Sequence, residues 1–235
     1  MFKRFKNILW LRIKQYISNP MYIILIALPY LFLWLYDLLI GDMVGADDLL
    51  FTVLPLLYTL TMGQLISSIV SEEKEYNNLM ELQYSGVKGP EYILSTILYP
   101  LLLGILGIAL LPMVIGGISE IDISYLSYYT INFLTAMCFA LIYISIGMFS
   151  ETVNQSQIIA IPIMIVTLFL PMGAAYNNTV YEFTRFSFMG SFVELYNDSG
   201  NIFGSTSFIS LLIWIVGLFV LALVSFIYGF RRRNW

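Results

Sequence analysis

The chain has 235 residues, 59 % apolar and 11 % charged, with a net charge of −4 and a mean hydropathy of +0.83. A soluble chain carries about 25 % charged residues, so this composition excludes a water-soluble domain and indicates an all-α integral membrane protein. With no histidine, Ser-His-Asp and Cys-His nucleophile pairs and His-ligated metals are excluded; the one cysteine, Cys138, lies in an apolar run and forms no disulfide framework. Neither a GxxxxGK[ST] loop nor a Rossmann glycine pattern is present, so no nucleotide site is visible, and nothing suggests a nucleic-acid partner.

In chain order, residues 1–19 carry charges throughout, unlike a signal peptide. At 100° per residue, Phe2, Phe5, Leu9, Ile13 and Tyr16 share one face, with Lys3, Arg4, Asn7 and Lys14 opposite. Lys6 and Arg12 fall near the boundary, where they would snorkel. The pattern predicts an amphipathic helix in the interface of a negatively charged leaflet; packing on a partner protein is the alternative.

Six apolar runs follow, near 20–40, 49–70, 92–115, 128–149, 157–175 and 208–230. Each suits a hydrocarbon core of about 30 Å. The whole chain, 1–235, reads as one transmembrane domain. The fifth run is the shortest and is expected to end at Pro171 and Gly173. The tract 173–207 is too polar to span and too aromatic for plain disorder, so an interfacial or re-entrant segment is expected between spans 5 and 6.

The polar interval from Ser71 to Pro100 organises the rest. Glu72, Glu73, Lys74 and Glu75 follow directly on the second run. Asn77 and Asn78 break that helix, since a short amide tolerates a left-handed or capping conformation. Asn78 with Glu81 reads as a capping box for a short helix carrying Leu79, Met80 and Leu82 and stopped near Gly86. Pro90 and Glu91 suit the first turn of the next helix. A short helix pinned between two spans is a docking device.

Ten of the 11 lysines and arginines lie in the N-terminal helix, the 71–91 loop and the C-terminus, leaving Arg185; Asp42, Asp47, Asp48, Glu120 and Asp122 lie in the opposite loops. This asymmetry predicts both termini and the 71–91 loop on the cytoplasmic side. The span interiors are nearly free of charge, which speaks against ion-coupled transport. Gln64, Ser67, Ser68, Asn132 and Thr135 are their polar residues, read either as interhelical hydrogen bonds of about 0.6 kcal/mol each or as lining of a translocation path. Pro29, Pro55, Pro100, Pro112, Pro162 and Pro171 would kink their helices. A membrane body with a docking element and no energy source suggests a body driven by a separate protein.

On these residues the chain resembles the ABC-2-type transporter permeases, the membrane subunits of type V ABC exporters. The family's charged cluster, break, coupling helix and stop read here as Glu72-Glu73-Lys74-Glu75, Asn77-Asn78-Leu79 and Ser85-Gly86-Val87, followed by Glu91-Tyr92-Ile93-Leu94. Asn77 and Asn78 depart from the usual glycine and threonine, but support the same break and cap. The resemblance implies a permease in a bacterial cell membrane that dimerises with itself or a related permease. It further implies a cytoplasmic ABC ATPase that binds ATP and Mg, with no cofactor and no catalytic residue in this chain. The docking surface it implies is Glu72, Glu73, Lys74, Glu75, Asn77, Asn78, Leu79, Leu82, Ser85 and Gly86. In that reading the carboxylates pair with basic groups of the ATPase, while Leu79 and Leu82 fill an apolar pocket there. The nearly uncharged interior and 17 Phe and 17 Tyr lean towards an apolar or amphipathic cargo, such as an antimicrobial or cytolytic peptide.

Two other classes compete. A substrate-capture subunit of an energy-coupling vitamin importer would also have six spans, but the acidic break-and-helix motif argues against it. An intramembrane enzyme would need a Ser-Lys or two-Asp arrangement, for which the spans supply neither lysine nor a suitable acid pair.

Overall fold

The computed structural model describes residues 2–40, 45–87, 89–114, 123–197 and 202–231. Asp42, Lys88, Glu120, Asp122, Arg232 and Arg233, which enter the charge asymmetry above, lie outside them. All regular structure among the described residues is helical.

Helix α1 (Phe2–Ser18) is followed by Asn19, whose Oδ1 accepts from the Met21 amide at 3.1 Å, and by Pro20 at the first position of α2 (Pro20–Ile40), which is span 1. Span 2 has three pieces: α3 (Ala46–Leu56), a π-helical segment (Leu57–Gln64) and α4 (Leu65–Glu75). Next come the short α5 (Asn78–Tyr84), α6 (Gly89–Val114, span 3), α7 (Tyr125–Phe149, span 4) and α8 (Val153–Tyr176, span 5). Then α9 (Asn178–Arg185), α10 (Gly190–Asn197) and a 3-10 turn (Ile202–Gly204) lead into α11 (Thr206–Arg231), span 6. Six of these helices are long and apolar enough to cross a membrane.

Spans 2 and 4 are the central pair. Their apolar stretches are 83 % and 78 % buried, against 17–39 % in the other four. Close approach of this pair rests on glycine. A Cβ on Gly147 would lie 2.9 Å from the Ser67 carbonyl oxygen and 2.7 Å from Val70 Cβ; one on Gly63 would lie 2.6 Å from the Tyr143 ring. Without lipid-derived hydrophobic drive, such contacts hold membrane helices together. The wide turns of span 2 follow directly on Pro55, which has no amide to donate; Thr59 Oγ1 donates back to the Pro55 carbonyl at 2.9 Å.

Helix α8 is longer than the apolar run suggests. Thr152 caps it early, its hydroxyl accepting from the Gln155 amide at 3.2 Å, and the helix continues through Pro171 and Gly173 to Tyr176. The tract that follows does not span. Instead Met189, just before α10, and Phe192, Val193 and Leu195 of α10 enter the bundle as fully buried residues. Phe192 stacks on Phe51 of span 2 at 5.4 Å and meets Tyr58 edge-on at 6.1 Å. The Phe186 carbonyl, between α9 and α10, accepts from Trp214 Nε1 at 2.8 Å and from the Ser210 hydroxyl at 2.7 Å, fastening this tract to span 6.

Helix α1 corrects the helical-wheel reading. Tyr16, expected on a face turned to the membrane interface, is buried in the protein, Arg12 is fully buried rather than snorkelling, and Trp10 and Ile17 are 68 % and 64 % exposed beside the exposed Lys6 and Lys14. The helix packs mainly on α6, with Tyr16 stacked on Tyr99 at 4.9 Å and edge-on to Tyr22 at 5.5 Å. Tyr16 and Tyr22 are buried and Tyr99 partly so, and Arg12, one helical turn before Tyr16, lies on the same inward face.

Candidate functional site: the charged turn at the end of span 2

Successive residues on an α-helix point about 100° apart, so four charged residues in a row reach four directions. The last turn of α4 uses all of them. Glu72 Oε2 accepts from the Tyr22 hydroxyl at 2.8 Å, joining span 1. Glu73, 2 % exposed, takes a bidentate ion pair from Arg12 of α1, with Nη1 on Oε1 and Nη2 on Oε2 at 2.8 Å. Its Oε2 also accepts from the Tyr92 hydroxyl at 2.6 Å, which adds span 3. Lys74 donates to the Met148 carbonyl in the last turn of span 4, where cations offset the negative helix end. Glu75 Oε2 accepts from the Val153 amide at 3.0 Å, at the positive start of span 5. One helical turn therefore holds five other helices at the end of the bundle that carries α1.

Arg12 is the centre of this cluster. Its guanidinium also reaches Thr96 Oγ1 and Gln15 Oε1, both at 3.3 Å, and lies 5.5 Å from the centroid of the Tyr92 ring. Burial alone would lower its pKa, but the Glu73 charge and hydrogen bonds reverse that, so Arg12 is held above its usual value. Burial raises the neighbouring Tyr16 phenol well above its usual range, keeping it neutral.

The short helix beyond the turn is built locally. Asn77 takes φ 59°, the left-handed position expected of one of the two asparagines, and Asn78 is the first residue of α5 rather than its cap. At the far end Gly86 has φ 81°, and the Val87 amide reaches back to the Leu82 carbonyl at 3.1 Å, a Schellman closure. Ser85 Oγ donates to the same carbonyl at 2.7 Å.

These positions divide the residues expected to dock. Glu73, Lys74 and Leu79 are buried, Glu72 is half-buried, and Leu82 packs against the core. Leu79 is thus buried in the chain's own core, and Leu82 packs against it while partly exposed. Left outward are Glu75, Asn77, Asn78, Ser85 and Gly86, joined by Glu81 and two residues the sequence reading passed over, Tyr76 at 66 % and Tyr84 at 86 % exposure. Arg12, Tyr22 and Tyr92 were also missed as members of the cluster. The only signal for them was a tyrosine at the start of each of two apolar runs and a lone arginine on a wheel boundary.

The five polar residues of the span interiors also lie inside the chain. Tyr58 donates to Asn132 Oδ1 at 2.6 Å, Asn132 Nδ2 donates to the Tyr128 carbonyl at 2.7 Å, and Ser67 Oγ reaches the Gln64 carbonyl at 3.4 Å. Ser68 and Thr135 are buried, and their hydroxyls have no hydrogen-bond partner among the described residues. An open apolar groove of about 330 Å³ lies elsewhere, between spans 3 and 4, lined by Ile105, Ile108, Tyr129, Thr130, Phe133 and Leu134.

The family model of the ABC-2 type transporter matches residues 3–194, from α1 through all of the charged turn to α10. The chain belongs to the ABC-2 type transporter family. No curated protein and no solved structure matches it. As an ABC-2 permease it is a multi-pass membrane subunit of an ABC transporter, a family that works with an ABC ATPase. The charged turn lies wholly within the matched region, as does the short helix that follows it.

Proposed function

We propose that this chain is the membrane subunit of an ATP-driven exporter. It forms the translocation pathway as a dimer, with a second copy or a related permease, and a separate cytoplasmic ABC ATPase docks on α5. The observation that carries the reading is the convergence at one end of the bundle. An outward helix with exposed Glu81 and Tyr84, preceded by the exposed Tyr76, continues from a turn that holds α1 and spans 1, 3, 4 and 5. A push on α5 therefore reaches most of the bundle through short, directional bonds.

The clustering of basic residues in the N-terminal helix, the 71–91 loop and the C-terminus supports a cytoplasmic placement of this end in a bacterial cell membrane. ATP and Mg belong to the ATPase. The apolar groove and nearly uncharged spans support a hydrophobic or amphipathic cargo, such as an antimicrobial or cytolytic peptide exported or expelled for self-protection. Membership of the ABC-2 family speaks against the vitamin-capture alternative.

The test is affinity purification of the chain from its native membrane in mild detergent, with Tyr84→Asp compared to wild type. Tyr84 is 86 % exposed, so its change spares the fold; Leu82→Asp would place a charge against the core. An ABC ATPase recovered in stoichiometric amount with wild type and lost with Tyr84→Asp is the expected result. A chain recovered alone overturns the reading.

A further inference from the structure

Arg185 is the one base outside the three basic regions of the chain, and it ends a helix that turns back into the bundle. Asn177 reverses the chain after span 5, its Oδ1 accepting from the Thr179 amide at 2.9 Å, and α9 then packs back against α8. The turn that follows lies deep. Phe188 meets the Phe139 ring edge-on at 5.4 Å, near the middle of span 4. It also meets Trp214 at 6.1 Å, about two helical turns inside span 6, and the Phe186 carbonyl is bonded to that same indole. From there α10 returns towards Phe51, near the start of span 2. The α9–α10 hairpin thus enters from the end opposite the charged turn and brings Arg185 towards mid-depth among the spans. A Cβ on Gly190 would lie 2.5 Å from the Arg185 carbonyl oxygen, so the tip is closed tightly on itself.

An arginine at such depth is costly, and as a rule it pairs with an acid or a carbonyl, or faces a cavity. Arg185 is left without that compensation. Its Nε is buried with no hydrogen-bond partner among the described residues. Glu182 Oε2 stands 4.0 Å from Nη1, beyond hydrogen-bond distance, and the Glu194 carboxylate is taken by the Ser205 hydroxyl at 2.7 Å. A third of the side chain is open, and the rings on either side of it in sequence, Phe183 and Phe186, are 77 % and 64 % exposed.

We infer that Arg185 binds the anionic head, a carboxylate or a phosphate, of an amphiphile whose apolar body lies against Phe183 and Phe186. The planar guanidinium fits either oxyanion through two parallel bonds, and away from water such a bond is stronger than at an open surface. The ligand supplies the acceptors that the protein withholds. The inference rests on the export reading for the ligand's passage and narrows its amphipathic cargo to an anionic one.

The experiment uses the full chain in phosphatidylcholine nanodiscs, with Trp10, Trp34 and Trp235 changed to Phe so that Trp214 alone reports on the hairpin tip. It is titrated with dodecyl phosphate, N-dodecanoylglycine and the uncharged 1-dodecanoylglycerol. Both anionic amphiphiles should shift the Trp214 emission at concentrations about tenfold or more below that of the uncharged one, the worth of a charge-assisted hydrogen bond. Arg185→Gln should abolish this preference, and Arg185→Lys, which keeps the charge but not the fork, should retain part of it. A preference that survives Arg185→Gln, or none with Arg185 present, overturns the inference. Nanodiscs containing phosphatidylglycerol separate the sources. A shift there without added amphiphile makes the ligand a resident lipid and refutes the narrowing of the cargo, whereas a shift only on addition supports it. No ATPase is present, so failure to recover an ATPase with the chain would overturn the docking reading and leave the Arg185 site standing.

Discussion

At the scale of single residues, the Arg12–Glu73 pair decides how α1 is attached. Both side chains are buried, and their bidentate geometry with the added Tyr92 and Thr96 contacts satisfies most of the polar atoms involved. Removing one partner of such a pair leaves an uncompensated buried charge, at a cost of about 3–5 kcal/mol, while removing both charges is far milder. Glu73→Gln should therefore lower the thermal stability of the detergent-solubilised protein sharply, and Arg12→Gln/Glu73→Gln should recover part of the loss. Strictly additive losses in that cycle would mean that the two side chains do not act as a pair. From the sequence, Arg12 was placed only at the edge of an amphipathic face. A wheel cannot distinguish an arginine that snorkels from one that turns inward, because the deciding partner, Glu73, is 61 residues away.

At the scale of elements, the two ends of the short α5 were legible, while the ends of α8 and the helix faces were less so. The break at Asn77 and the stop at Gly86 are local, set by residues that tolerate positive φ, and the structure has both. The faces of α5 were not legible, since Leu79 and Leu82 suit a partner's pocket and the chain's own core equally well. The wide turns after Pro55 were also invisible to hydropathy, which is blind to helix pitch. Packing between elements supplies a further prediction. Gly147→Ala forces a methyl group against the Ser67 backbone, which cannot yield as a side chain does, and should cost about 1–3 kcal/mol. Gly217, inside α11, has nothing within 4 Å of its Cβ position, so Gly217→Ala should leave the unfolding temperature unchanged or slightly raised. Equal effects of the two exchanges would contradict the close contact of spans 2 and 4.

At the scale of the whole molecule, the sequence already carried the membrane class, the six spans and the family, because length and hydropathy dominate inside a bilayer. What it did not carry is how the spans are joined at one end. The charged turn reads in sequence as an outward surface, and in the structure most of it is an internal fastening that leaves α5 and the span 4–5 turn outward. Under the proposed docking, α1, α5 and the adjoining span ends would move as one body, so that movement imposed on α5 would tilt the spans rather than bend the joint.

The direct measurement is the distance between spin labels at Lys14 of α1 and Ser85 beside α5, both exposed, in the purified complex with and without ATP. A third label at Tyr176, at the opposite end of span 5 and 93 % exposed, reports on the far end of the bundle; Cys138 is buried and stays unlabelled. The account predicts an unchanged Lys14–Ser85 distance while the distances to Tyr176 shift. A Lys14–Ser85 distance that changes on ATP binding, with those to Tyr176 constant, would show α5 moving alone and contradict it.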